Sequence, residues 1–171
     1  IFRLDVATGA ITMISDGGRS QNYLGPWSHT GDRMAFGSTR RNGADRDVYV
    51  VDPKDHATTR RVLEVKGGGW GPTDWSPDDT KLLVATPKGG AEKVAYSGPR
   101  WSADGKGIYV TTDRDSEFER LAYLDLATGK HTTLTSHIPW DVRSFALSPD
   151  GKTIAFETNE EGLSVLRLLD T

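Results

Sequence analysis

The chain has 171 residues, and its 21 Lys and Arg nearly balance 24 Asp and Glu, leaving a net charge of −3. That balance excludes a nucleic-acid footprint and a polybasic membrane anchor. The absence of cysteine excludes disulfides, thiolate metal sites and cysteine nucleophiles, whether the protein works in a bacterial cytoplasm, in the periplasm or outside the cell. Nineteen Gly and eight Pro leave little room for long helices, and no apolar run approaches the ~18 residues of a membrane-spanning helix. The start at Ile1, without Met or a signal-like segment, reads as a trimmed N-terminus.

In chain order, Ile1-Phe-Arg-Leu-Asp5 and Ile11-Thr-Met-Ile14 read as strands around the turn Ala7-Thr8-Gly9, with Gly at the left-handed position. A short strand then leads into Trp27-Ser-His-Thr-Gly-Asp-Arg-Met-Ala-Phe36, and the strands Val48-Tyr-Val-Val-Asp52 and Val62-Leu-Glu-Val65 follow. The same anchor, turn and apolar run recur as Trp75-Ser-Pro-Asp-Asp-Thr-Lys-Leu-Leu-Val84, Trp101-Ser-Ala-Asp-Gly-Lys-Gly-Ile-Tyr-Val110 and Leu147-Ser-Pro-Asp-Gly-Lys-Thr-Ile-Ala-Phe156. Pro presets φ, Asp bonds the backbone ahead of it and Gly accepts positive φ, so each is a hairpin. Asp115 to Ala127 could pass for an amphipathic helix, but its register against Val48 to Asp52 makes Leu121-Ala-Tyr-Leu-Asp125 a strand. Thr132-Thr-Leu134 and Val165-Leu-Arg-Leu-Leu-Asp170 complete the pattern.

The unit is four antiparallel strands, a to d, at a period of ~40–50 residues, the signature of a β-propeller blade. The expected fold is all-β, an incomplete propeller over 1–171 with about four blades represented. Residues 1–18 supply strands c and d of a preceding blade, 23–66 a whole blade, 70–90 a depleted one, 96–135 a whole blade and 142–171 strands a to c of a last one. The anchors Trp27, Trp75, Trp101 and Leu147 fall 48, 26 and 46 residues apart. The short spacing implies that strand c and most of strand d are missing near Val84–Ala85. Beginning and ending mid-blade, the chain reads as a section of a larger propeller or as a fragment that pairs with another copy.

The Trp-Ser-Pro-Asp-Gly-Lys pattern resembles the repeat of TolB-type periplasmic proteins and of prolyl oligopeptidase-like serine peptidases, the dipeptidyl and acylaminoacyl peptidases included. Ser38-Thr-Arg-Arg-Asn-Gly-Ala-Asp-Arg-Asp-Val-Tyr49, Thr111-Thr-Asp-Arg-Asp-Ser-Glu-Phe-Glu-Arg-Leu-Ala122 and His137-Ile-Pro-Trp-Asp-Val142 resemble bacterial members of the peptidase family. The resemblance implies a non-catalytic propeller that covers a hydrolase domain and filters its peptide substrates. No Gly-x-Ser-x-Gly nucleophile elbow occurs here, and His29, His56, His131 and His137 lie in no triad motif, so no catalytic residue is carried over. His56 is expected in a c–d turn. Family dipeptidyl peptidases hold a substrate amino terminus with paired glutamates, but neither Glu117 and Glu119 nor Glu160 and Glu161 match that motif, and they read as charged hairpin tips.

Three constellations remain. The anchors should wedge between neighbouring sheets. A second aromatic series, Tyr23, Trp70, Tyr96 and Trp140, lies in the d–a connections, either lining a channel rim that contacts a peptide or partner, or packing blade to blade. Asp45-Arg46-Asp47 and Asp113-Arg114-Asp115 recur in b–c loops, which share a face with the d–a connections. They suit local ion pairing or a docking surface. Calcium would accept the carboxylates, but the intervening Arg competes for both. No metal and no cofactor is expected. The run Lys66-Gly-Gly-Gly-Trp70-Gly71 lacks the Gly-Lys-Ser/Thr end of a phosphate loop. A TolB-like protein-binding module and a stand-alone propeller completed by self-association stay open beside the peptidase reading.

Overall fold

A computed structural model describes residues 1–67, 69–86 and 94–171. The chain divides into two compact units, Ile1–Lys88 and Gly89–Thr171. Every described element is a strand, and every pairing is antiparallel between neighbours in sequence.

In the first unit, β1 (Phe2–Leu4) pairs with β2 (Ile11–Met13). The strands β3 (Asn22–Trp27), β4 (Met34–Ser38), β5 (Asp47–Asp52) and β6 (Asp55–Leu63) form a four-stranded sheet in that order. The last sheet of this unit pairs β7 (Gly71–Trp75) with β8 (Leu82–Ala85). Val84 and Ala85, where the short spacing implies a missing segment, are consecutive residues of β8. The tail of the depleted blade, residues 87–90, lies outside the described residues. The second unit holds the four-stranded sheet β9 (Tyr96–Trp101), β10 (Gly107–Thr112), β11 (Arg120–Asp125) and β12 (His131–Thr133). It also holds the three-stranded sheet β13 (Val142–Leu147), β14 (Thr153–Glu160) and β15 (Leu163–Asp170). These up-and-down sheets are the blade units of a β-propeller, and none is closed on itself. Residues 120–125 are strand, against their amphipathic-helix pattern, because pairing with β10 and β12 fixes their backbone.

Period-two alternation explains the core. Met34 and Phe36 of β4, with Tyr49 and Val51 of β5, face Ile14 and Ile1. Ala35 and Val50 on the opposite face pack against Trp75 and Leu82. Sandwiched on both sides, β4 and the first five residues of β5 are fully buried. In the second unit Tyr109 and Leu121 meet Val142, Ile154 and Phe156. Each first strand ends on its anchor, and in β3 and β9 a bulge precedes it at Gly25-Pro26 and Gly98-Pro99. Proline is tolerated there because these are sheet-edge strands and the bulge needs no donor.

The hairpins carry the predicted turn chemistry. Gly31, Gly105 and Gly151 have φ of 71°, 69° and 69°, and Asp79 takes the same role at 53°. His56 differs from its expected turn: β6 begins at Asp55, directly after the Pro53-Lys54 reversal, so His56 is a strand residue. The anchors divide. Trp75 is 4% exposed and donates its Nε1–H to the Pro26 carbonyl at 3.1 Å, whereas Trp27 is 48% exposed. Trp75 faces a four-stranded sheet, but Trp27 pairs with Met34 on the side of the short β1–β2 ribbon, which does not cover it. Trp101 and Leu147 are half-buried.

Candidate functional site

The loop from Thr39 to Asp47 is built around its own side chains. The amides of Asn42 and Gly43 donate to the Thr39 carbonyl, and Asn42 Oδ1 accepts from the amides of Ala44 and Asp45. Asp47, fully buried at the start of β5, accepts from Arg41 Nε at 2.6 Å, from the Val65 amide at 3.0 Å and from Arg61 Nη1 at 3.4 Å. Asp45 accepts from Asn42 at 2.8 Å, from the Gly67 amide at 2.6 Å and from Arg41 Nη2 at 3.0 Å. Arg41 also donates to the Val65 carbonyl. Burial pushes the Asp47 carboxyl up, but Arg41, the Val65 amide and the charge of Arg61 outweigh it and hold the group below its ordinary value. The bonds to Asp47 raise Arg41 in turn. The network fastens this loop to the chain leaving β6.

Arg46 lies between these two carboxylates and uses neither. Its guanidinium carbon sits 3.5 Å from the ring centroid of Tyr23. Its stem crosses Gly37, where a Cβ would stand 3.0 Å from Arg46 Cδ. The two motifs singled out separately in the sequence, the aromatic d–a series and the Asp-Arg-Asp loops, therefore meet. They meet again in the second unit, where Arg114 Nη1 donates to the Tyr96 hydroxyl at 3.0 Å.

The acids around Arg114 behave differently. Asp113 accepts from the Ala95 amide at 2.7 Å. Asp115, at φ 59°, is exposed and lies 3.8 Å from Arg114. The buried charge at the head of this third strand is Arg120, which donates to the Thr135 carbonyl at 3.0 Å and to Ser116 Oγ at 3.2 Å.

Of the aromatic series, only Trp70 and Trp140 lie in connections; Tyr23 and Tyr96 are instead residues of β3 and β9, because pairing with β4 and β10 extends the first strands back over them. Trp140 packs against the core of the second unit and Trp70 is half-buried, while Tyr23 and Tyr96 are 40% and 45% exposed. Glu119 is fixed through its backbone, its amide donating to Asp141 and its carbonyl accepting from Val142. Glu160 pairs with Arg167 at 2.6 Å, and Glu161 occupies the adjoining turn at φ 52°. Among the described residues no group of three His, Asp or Glu could hold a metal ion.

Sequence reasoning did not single out Asp79, Arg41, Arg61 or Arg120. Asp79 is 3% exposed and receives the amides of His29 and Thr30 at 2.9 and 3.0 Å, with His29 Nδ1 at 2.9 Å. Its burial raises the pKa, and these bonds overcome that and hold it far below the ordinary carboxylate range. Its signal was in the repeat, where Asp stands at the turn position occupied by Gly in the other three copies.

No family model matches the sequence. Over 147 residues, 78% of this chain, it is 28% identical to the uncharacterized peptidase YuxL of Bacillus subtilis (strain 168). Over 140 residues, 76% of the chain, it is 26% identical to dipeptidyl-peptidase 5 of Porphyromonas gingivalis. The matches span 21% and 16% of those proteins, so this chain corresponds to a minor part of either. Among solved structures, a putative TolB from Agrobacterium tumefaciens superposes with a TM-score of 0.61 and 17% identity, over 85% of this chain and 60% of that one. Oligogalacturonate lyase in complex with manganese gives 0.68 and 14% over 99% and 56%. A prolyl endopeptidase gives 0.61 and 11% over 86% and 25%. The structural likenesses show the fold, a β-propeller of TolB-like type, and the sequence relatives are peptidases. The resemblance carried by the Trp-Ser-Pro-Asp-Gly-Lys repeat is thus met both in sequence and in fold.

Proposed function

We propose that residues 1–171 are the non-catalytic propeller section of a prolyl oligopeptidase-like serine peptidase, shaping peptide access to a hydrolase domain outside these residues. The observation that carries this reading is the similarity to two bacterial peptidases over 78% and 76% of the chain. With no nucleophile elbow in the sequence, acyl transfer through a Ser-His-Asp triad belongs to the hydrolase domain. The part left to these residues is selection. In each unit a loop arginine meets a half-exposed tyrosine on the first strand of a sheet, a planar polar and apolar surface suited to a peptide.

The parent gene tests this directly: continuation into an α/β domain carrying Gly-x-Ser-x-Gly supports it. The chain alone should cleave no peptide, and clear turnover of any peptide substrate by these residues overturns it. A TolB-like protein-binding module is the second reading, favoured by the superposition on 60% of the putative TolB chain. An α/β domain encoded upstream, with no hydrolase downstream, would select it. The outer strand β15 supports the remaining reading, completion by further copies, since Leu163, Leu166 and Leu168 are 70%, 74% and 71% exposed. A concentration-dependent rise in sedimentation coefficient would select that one.

A further inference from the structure

Within the loop Thr39 to Asp47 the charges are divided unevenly. Arg41 and Arg61 are enclosed by Asp45, Asp47 and Glu64, with contacts from 2.6 to 3.8 Å. Arg46 makes no hydrogen bond and no ion pair with any described residue, although an aspartate flanks it on each side. Its Nε is buried and lacks an acceptor. Leaving a donor in that state has a cost, which the face of Tyr23 offsets only in part.

The placement is nevertheless fixed. The Tyr23 hydroxyl donates to Gln21 Oε1 at 2.7 Å, holding the ring, and Gly37 gives the arginine stem its passage. A separation of 3.5 Å between guanidinium carbon and ring centroid is reached only by face-on stacking. Stacking leaves the in-plane N–H groups directed along the plane, the arrangement that meets a carboxylate with two parallel hydrogen bonds. Both nearby acids are already committed, to Arg41, Asn42, the Gly67 amide, Arg61 and the Val65 amide, so neither can turn to fill that role.

We infer that Arg46, laid flat on Tyr23, is a binding residue for the carboxylate of a peptide, carried either on an acidic side chain or on the C-terminus. The inference rests on the peptide-facing role proposed above and gives that role a charge preference. The site recognises one planar anion through the guanidinium edge, with the Tyr23 ring as its floor.

The experiment follows the side-chain N–H resonances of Arg46 in the ¹⁵N-labelled 171-residue chain, assigned through Arg46→Lys. Three probes are titrated: N-acetyl-Ala-Ala-Glu-amide, N-acetyl-Ala-Ala-Gln-amide and N-acetyl-Ala-Ala-Ala with a free carboxylate. A carboxylate probe should shift Arg46 saturably and bind about tenfold more tightly than the Gln peptide. The Glu peptide alone succeeding assigns a side-chain carboxylate, and success of the free acid assigns a C-terminus. Arg46→Gln should abolish the preference read from the Tyr23 ring signals, while Arg19→Gln, at an exposed arginine, should leave it unchanged. Equal binding of Glu and Gln peptides overturns the carboxylate site and leaves the peptide role standing. No shift with any probe, or a preference that survives Arg46→Gln, also overturns the site. A carboxylate preference in a protein whose gene encodes no hydrolase would retain the site and remove the peptidase.

Discussion

At the head of the third strand, the sheet β3–β6 seats Asp47 opposite Ser38, and the sheet β9–β12 seats Arg120 opposite Thr112. Both residues are buried and both tie the strand to the chain leaving the fourth strand, Asp47 by accepting from the Val65 amide and Arg120 by donating to the Thr135 carbonyl. A peptide unit offers a donor and an acceptor, so either sign of charge can make the fastening. The surroundings decide the rest: Asp47 is held by Arg41 and Arg61, whereas Arg120 is satisfied by neutral oxygens and lies over Phe118 at 5.0 Å.

The hairpin turns repeat the lesson. At the left-handed position, Asp79 reaches across to the turn of β3–β4 and bonds His29 and Thr30. At the same position of its own repeat, Gly151 lets Ala103 approach so closely that a Cβ would stand 2.2 Å from the Ala103 methyl. One contact between hairpins is polar and the other steric, on the same backbone.

Asp47→Ala is the severest test. It leaves the buried Val65 amide without its acceptor and removes the shortest bond of Arg41, which keeps Asp45 while Arg61 keeps Glu64, and the expected loss is about 3 kcal/mol in urea unfolding. A loss under 1 kcal/mol would show that solvent reaches the pair. Next, Gly151→Ala should cost about 2–3 kcal/mol, through overpacking against Ala103 and a left-handed residue with a side chain; Ala103→Gly in the same chain should recover the overpacking part. Arg120→Met removes the bonds to the Thr135 carbonyl and Ser116 Oγ, but that carbonyl keeps the Ile138 amide and the stem packing remains, so about 1–2 kcal/mol is expected, clearly less than at Asp47. Equal losses at the two sites would break the contrast between an ionic and a neutral fastening. Asp79→Gly removes the polar clip while easing the turn, for a net loss of about 1 kcal/mol.

Acid separates the two solutions most gently. Asp47 and Asp79 titrate below the ordinary 3.8 in the folded chain, so folding is linked to their ionised forms. Their contribution is complete above pH 3.8 and is lost as pH falls from there towards the depressed folded values. Urea midpoints measured through that range should fall less steeply in Asp47→Asn than in the parent chain.

The strands and turns were legible because repetition multiplies weak local signals. Four copies of one anchor and turn settle a register that a single amphipathic stretch, such as Arg120 to Asp125, leaves ambiguous. The meeting of the Asp-Arg-Asp loops with the aromatic series was only half legible. The sequence puts both on one end of a blade, but Arg46 and Tyr23 are 23 residues apart, and their contact depends on β3 and β4 pairing Tyr23 with Gly37. Asp47 read as a rim acid because it stands in a charged triplet; the β5 pairing turns it inward, where Arg41 and Arg61 enclose it.

By itself, then, the sequence determined what is periodic: an all-β chain, hairpins closed by Gly at positive φ, and anchors at the ends of the first strands. These follow from backbone sterics and side-chain alternation, which act over a few residues. Tertiary structure alone decided which charges are buried, which anchor is covered and which arginine is left with an open edge. Those outcomes depend on what each face meets: Trp75 meets a four-stranded sheet and is buried, Trp27 faces a two-stranded ribbon and is half exposed, and Arg46 lies on Tyr23 because its neighbouring acids are occupied.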